Sequence, residues 1–196
     1  MAKVVKGNEI ATIDVALVSV QSYEPDADEI ILDTANKIGV TVGTETTDKI
    51  PLIVKGRLIA QKPQVTTVTG NTLVLTDNVF NDKLVKMLQG GTIEYEEDGV
   101  TFKKYTPPVV GSTEKGEIFK TNVYSAIYNA AGICTGYEKI TYPNCQGVPI
   151  AFGSEDGVFR SSEYTINSAP SQGEAPYELE IVAELPVVTP ENPDGD

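Results

Sequence analysis

Runs rich in Val, Ile, Thr and Tyr recur along the whole chain, and Gly, Pro, Asn and Asp separate them at short intervals. β-Branched and aromatic side chains fit a pleated, half-buried surface, and the punctuating residues supply turn geometries. Such a chain should form many short strands with tight connections. The reading is a mainly β protein, an antiparallel β-sandwich or barrel with one short α-helix. A length of 196 residues suits one domain with a substantial core. Residues 1–185 are read as that domain, with 1–9 as a candidate N-terminal arm, and 186–196 as an extended acidic tail.

Local signals place the elements. Residues 10–20 predict a first strand, 23–28 (YEPDAD) a turn, 38–42 a short strand, 44–49 (TETTDK) a polar loop and 50–61 one long apolar strand. Gly70-Asn71 and Asp98-Gly99 predict hairpin turns, and Asp156-Gly157 a third hairpin. The first turn would set Val68 opposite Leu73. The second would set Tyr95 opposite Phe102 and Glu94 opposite Lys103, an aromatic pair on one face and an ion pair on the other. In 78–89 (NVFNDKLVKMLQ), Phe80, Leu84, Met87 and Leu88 recur at helical spacing. Asn81 or Asp77 can cap the start and Gly90-Gly91 the end, which predicts a helix over about 79–89. Residues 117–129 are apolar on both faces and predict a strand that is central in a sandwich or meets another subunit. Further strands are expected at 92–97, 137–142, 148–152 and 158–166. Residues 177–185 (YELEIVAEL) alternate most cleanly, with Tyr177, Leu179 and Ile181 on one face and Glu178, Glu180 and Glu184 on the other.

Composition narrows the chemistry. The chain has no histidine, so no Ser-His-Asp triad, Cys-His pair or histidine-bearing metal site can be written on it. No catalytic residue, metal ligand set or cofactor motif is assigned. GTETTDK lacks phosphate-loop spacing, and PDADE and PENPDGD lack the periodicity of a calcium loop. A glycosidase-type carboxylate pair stays open, although a solvated surface acid is the plainer account of any one pair. Cys134 and Cys145 allow one disulfide without demanding it, and reduced, partly buried thiols are expected. No apolar run approaches the ~20 residues of a membrane helix, and the N-terminal stretch lacks a small-residue cleavage site, so neither membrane insertion nor a signal peptide is expected. The net charge of −13 excludes phosphate neutralisation as a way to bind nucleic acid. It does suit a channel that must pass DNA without holding it.

Three ordered stretches carry a resemblance: VKGRLIAQKP…TLVLTDNVFNDKLVKMLQGG, YEKITYPNCQG and SEDGVFRSSEYTINSAPSQGEAPYELE. Together they resemble the major tail proteins (tail tube proteins) of tailed bacteriophages and prophages of Gram-positive hosts. The resemblance covers roughly residues 43–185 and is not a catalytic signature. It implies a structural virion protein, not an enzyme, assembled in the bacterial cytoplasm. Six subunits would join their sheets into a ring, and rings would stack into a tube that conducts DNA. The implied partners are further copies of the chain, other tail proteins (tape measure, tail terminator, tail tip) and passing DNA held without specific binding. On this reading Glu178, Glu180 and Glu184 are candidate lumen-facing acids, and Glu94 is a poorer one because Lys103 would neutralise it. Glu24, Asp26 and Asp28, Glu45 and Asp48, and Pro107 and Pro108 are candidate inter-subunit or inter-ring loop residues, because long loops in compact domains are usually functional. The alternative from another class is a secreted or surface β-sandwich module that binds carbohydrate or protein.

Overall fold

The computed structural model describes residues 7, 9–25 and 27–187. In chain order the elements are β1 (Thr12–Ser22), β2 (Glu29–Leu32), β3 (Ala35–Thr46), β4 (Ile50–Val54), β5 (Arg57–Lys62), β6 (Thr66–Asp77), α1 (Asp82–Gln89), β7 (Thr92–Tyr95), β8 (Phe102–Thr106), β9 (Phe119–Tyr128), β10 (Cys134–Gly147), β11 (Ser162–Ser168) and β12 (Glu178–Val182). The protein is mainly β with one short helix, as its composition implies. Eight strands form one antiparallel sheet in the order β2-β1-β9-β10-β11-β6-β3, with β12 added on β10. β4-β5 and β7-β8 are separate two-stranded ribbons.

β10 sets the shape of the large sheet. One of its edges runs along β9 from Cys134 to Cys145. Its other edge is divided, with Tyr137–Thr141 pairing β12 and Cys145–Gly147 pairing β11. Between those stretches Pro143 lacks an N–H, and Asn144 sits at φ 47°. Positive φ is costly for a non-glycine residue, though Asn tolerates it best. Asn144 is anchored there by its side-chain amide, which donates to Glu174 Oε2 at 2.6 Å. Ser168 Oγ donates to the Pro143 carbonyl at 2.6 Å and ties β11 to the bend.

The bend lets the two halves share one core, an arrangement of the sandwich kind rather than a closed barrel. Val18, Val20, Phe119 and Val123 come from one half, and Leu73, Leu75, Tyr164 and Ile166 from the other. α1 supplies Leu84, Val85, Met87 and Leu88 to the same cluster. Asn81 caps the helix by accepting from the Leu84 N–H at 2.9 Å. Gly90, at φ 78°, ends it with its N–H donating to the Lys86 carbonyl at 2.8 Å. Because Asn81 is extended, the helix begins at Asp82, three residues later than the spacing predicts. Phe80 falls before the cap, and its ring packs 5.5 Å from Phe102 and 6.1 Å from Phe152.

The strand apolar on both faces, β9, is central between β1 and β10. Several local expectations fail, among them the strand at 148–152, where none forms. Gly70-Asn71 is not a turn: β6 runs through it unbroken and pairs β3 and β11. Glycine is needed there because a Cβ would lie 2.5 Å from the Ser168 carbonyl oxygen. Residues 50–61 are two strands, β4 and β5, turned at Lys55 (φ 47°) and Gly56 (φ 79°), the double positive φ of a type I′ turn. Part of the predicted polar loop, Thr44–Thr46, extends β3 against Thr66–Val68. The Asp156-Gly157 turn exists, with Gly157 at φ 76°, but no strand forms until Ser162.

The Asp98-Gly99 hairpin forms with a shifted register. Tyr95 faces Phe102 as expected, but a bulge sets Glu94 opposite Lys104, not Lys103. The connection is also longer than two residues, since the Glu96 N–H donates to the Thr101 carbonyl. Only Gly99 takes positive φ. Asp98 instead accepts from Thr101 Oγ1 and from the Thr101 and Val100 N–H groups, and these bonds pull its carboxyl below the usual range.

Leu84 is fully buried on the helix face. Leu84→Ala should therefore cost about 2–5 kcal/mol through lost transfer energy and a residual cavity. Chemical denaturation read by circular dichroism checks this; an unchanged midpoint would show that the face is not packed.

Candidate functional site

Cross-strand pairs share a face of the sheet. The register therefore aligns Glu178, Thr141, Asn122 and Ser19 in one row, and Glu180, Lys139 and Tyr124 in the next. The core residues Val18, Val123 and Ile140 belong to the alternate rows. The glutamates of β12 thus project from the face turned away from the core. Thr141 Oγ1 donates to Asn122 Oδ1 at 2.9 Å, and Asn122 Nδ2 donates to Ser19 Oγ and Glu29 Oε1, each at 3.1 Å. This polar ladder continues into the acidic strand.

Three features of β12 differ from what its alternation implies. The strand itself has no lysine, but Lys139 on β10 reaches Glu180 at 2.7 Å. Hydrogen bonding to Glu180 holds the Lys139 ammonium above its ordinary pKa. Glu178 is exposed within β12, whereas Glu184, also exposed, lies in a bend beyond the strand's end at Val182, so the regular alternation predicted to reach residue 185 stops short of it. The opposite face is not sealed either: Leu179 is 52% and Ile181 51% exposed. The edge of β12 away from β10 has no strand partner among the described residues.

The remaining candidates are scattered. Glu24 and Asp28 are exposed in the connection between β1 and β2, and Asp26 lies outside the described residues. Asp28 borders a 380 Å³ cavity floored by Ile30, Met87 and Ile93. Glu45 is in β3 opposite Thr67, and Asp48 lies between β3 and β4. Pro107 and Pro108 open the irregular stretch between β8 and β9, where Val109 and Val110 are exposed. Most of the candidate N-terminal arm and of the C-terminal tail lies outside the described residues.

The feature that sequence reasoning missed is the β4-β5 arm. Every residue of both strands is exposed, although Ile50, Leu52, Ile53, Val54, Leu58 and Ile59 are apolar. A lone β-ribbon has no second layer, so its side chains have nothing to pack against. The Lys55-Gly56 step inside an apolar run was the available signal.

Among the described residues no cluster of three or more His, Cys, Asp or Glu could hold a metal ion, and no helix is long and apolar enough to cross a membrane. Cys134 and Cys145 are unpaired; Cys134 is exposed, whereas Cys145 is buried and burial pushes its thiol pKa up. Brief iodoacetamide treatment of the native protein should label Cys134 alone, and both thiols after unfolding. Native labelling of Cys145 would contradict the core described above.

No protein-family model matches the chain, and no curated protein matches it. Among solved structures, a chain in "Cryo-EM structure of the anti-feeding prophage (AFP) baseplate, 6-fold symmetrised" is similar over 92% of this chain and 97% of its own length. The identity is 11% and the TM-score 0.34, a likeness too loose to define a common fold.

Proposed function

We propose that the chain is a structural virion protein, a tail tube subunit of a phage or prophage of a Gram-positive host. Six copies would join sheets into a ring, and rings would stack into a tube whose acidic lumen conducts DNA during ejection. The observation that carries this reading is apolar surface that a single copy leaves in water. The β4-β5 arm exposes six large apolar side chains and β12 two more, beside a strand edge without a partner among the described residues. Contiguous apolar surface and open edges mark association sites. The sequence resemblance supplies the kind of assembly.

In such a tube the task of the wall is electrostatic. Phosphates repelled by fixed negative charge do not adhere, and at physiological salt screening limits the effect to about 8 Å. Glu178, Glu180 and Glu184 are the proposed lumen stripe, with Glu180 partly offset by Lys139. Sixfold symmetry would turn each position into a charged ring. The other tail proteins would cap and fill this tube, and none of the chemistry requires a cofactor.

Negative-stain electron microscopy of the purified chain at high concentration tests the assembly. Rings or tubes are expected; monodisperse monomers that also fail to join phage tail-tip extract would refute it. The lumen is tested separately by Glu178→Lys, Glu180→Lys and Glu184→Lys combined. The variant should fold and assemble, yet retain DNA during ejection, with retention falling steeply as salt rises. Ejection at the parental rate would remove the lumen assignment and leave the tube.

A further inference from the structure

The arm is unusual in charge as well as in exposure. Residues 49–62 (KIPLIVKGRLIAQK) carry Lys49, Lys55, Arg57 and Lys62 and no acid, in a chain of net charge −13. A basic, apolar ribbon on an acidic body calls for an acidic, apolar partner. The body offers one at its far end. The β3-β6 ladder runs from Thr46 opposite Thr66, at the arm, to Ala35 opposite Asp77. At roughly 3.3 Å per residue these 12-residue strands hold the two ends roughly 36 Å apart.

At the Asp77 end β11 begins with Ser162, and an aromatic shelf forms from Phe80, Phe102 and Phe152. The Arg160 guanidinium lies over Phe80 and Phe152, 5.7 and 5.4 Å from the ring centres. Because Phe152 and Arg160 are both held there, the loop between them is held there too. It presents Phe159, fully exposed, and the exposed acids Glu155 and Asp156.

Resting on the self-assembly reading, we infer that the arm of one copy docks on this aromatic, acidic pole of a second copy. Arg57 and Lys62 would face Glu155 and Asp156, and the leucines and isoleucines of the ribbon would cover Phe159. The two surfaces are different and lie at opposite ends. The contact is therefore heterologous, and repetition yields a polar stack rather than a closed pair. This is the contact that would set one ring on the next.

Two charge-reversed chains test it. One carries Arg57→Glu and Lys62→Glu, the other Glu155→Lys and Asp156→Lys; all four sites are exposed, so both chains should fold. Alone, each opposes like charges at the contact, and the concentration needed for stacking should rise at least about tenfold. Mixed, the acidic arm meets the basic pole and the unaltered arm meets the unaltered pole, so stacking should return. Sedimentation velocity and electron microscopy read both results. If each variant stacks alone as readily as the parent, or the mixture does not recover, the docking is wrong while self-assembly stands. If the parent itself never assembles, both readings fall.

Discussion

The divided edge of β10 is the constraint on which the rest depends. One strand serves β9 along one side and both β12 and β11 along the other. The register between β9 and β10 also shifts between Tyr142 and Cys145, and such a bulge bends the strand. Pro143 and Asn144 place the bend between the two partners. Once it is made, Val18 and Phe119 come to share a cluster with Leu75 and Tyr164. α1 closes that cluster with four side chains from an eight-residue helix. A helix so short is stable only through such packing.

The same bend decides what is left uncovered. β12 follows β10 only as far as Thr141 and leaves its outer edge without a strand partner among the described residues. The arm grows out of β3 and β6 beyond the last strand that could give it a second layer. The core is thus complete, but the apolar surface is not. On the proposed reading, neighbouring copies complete it and the acidic face of β12 stays in water.

Legibility in the sequence followed the range of the forces involved. The helix was readable because Asn81, Leu84, Leu88 and Gly90 act within a few turns of one another. β9 was readable as central because its two apolar faces are local facts. Gly70 was misread because two roles of glycine, turning and close approach, look identical until Ser168 arrives from a strand almost 100 residues later. Lys103 and Lys104 could not be told apart, because a single bulge shifts the register. The lysine that offsets the acidic stripe was invisible within β12, since Lys139 comes from another strand. The arm looked like one long apolar strand because apolar residues of 50–61 read the same whether they face a core or a partner.

The central claim is that the apolar arm is a contact surface between copies. Amide hydrogen exchange, compared between the dissociated chain and its assembled form, addresses it most directly. The account predicts fast exchange at the outward-facing amides of Ile50–Val54 and Arg57–Lys62 in the single chain and strong protection on assembly, while β9 amides stay slow in both. Arm amides that exchange equally fast in the assembled form would contradict it.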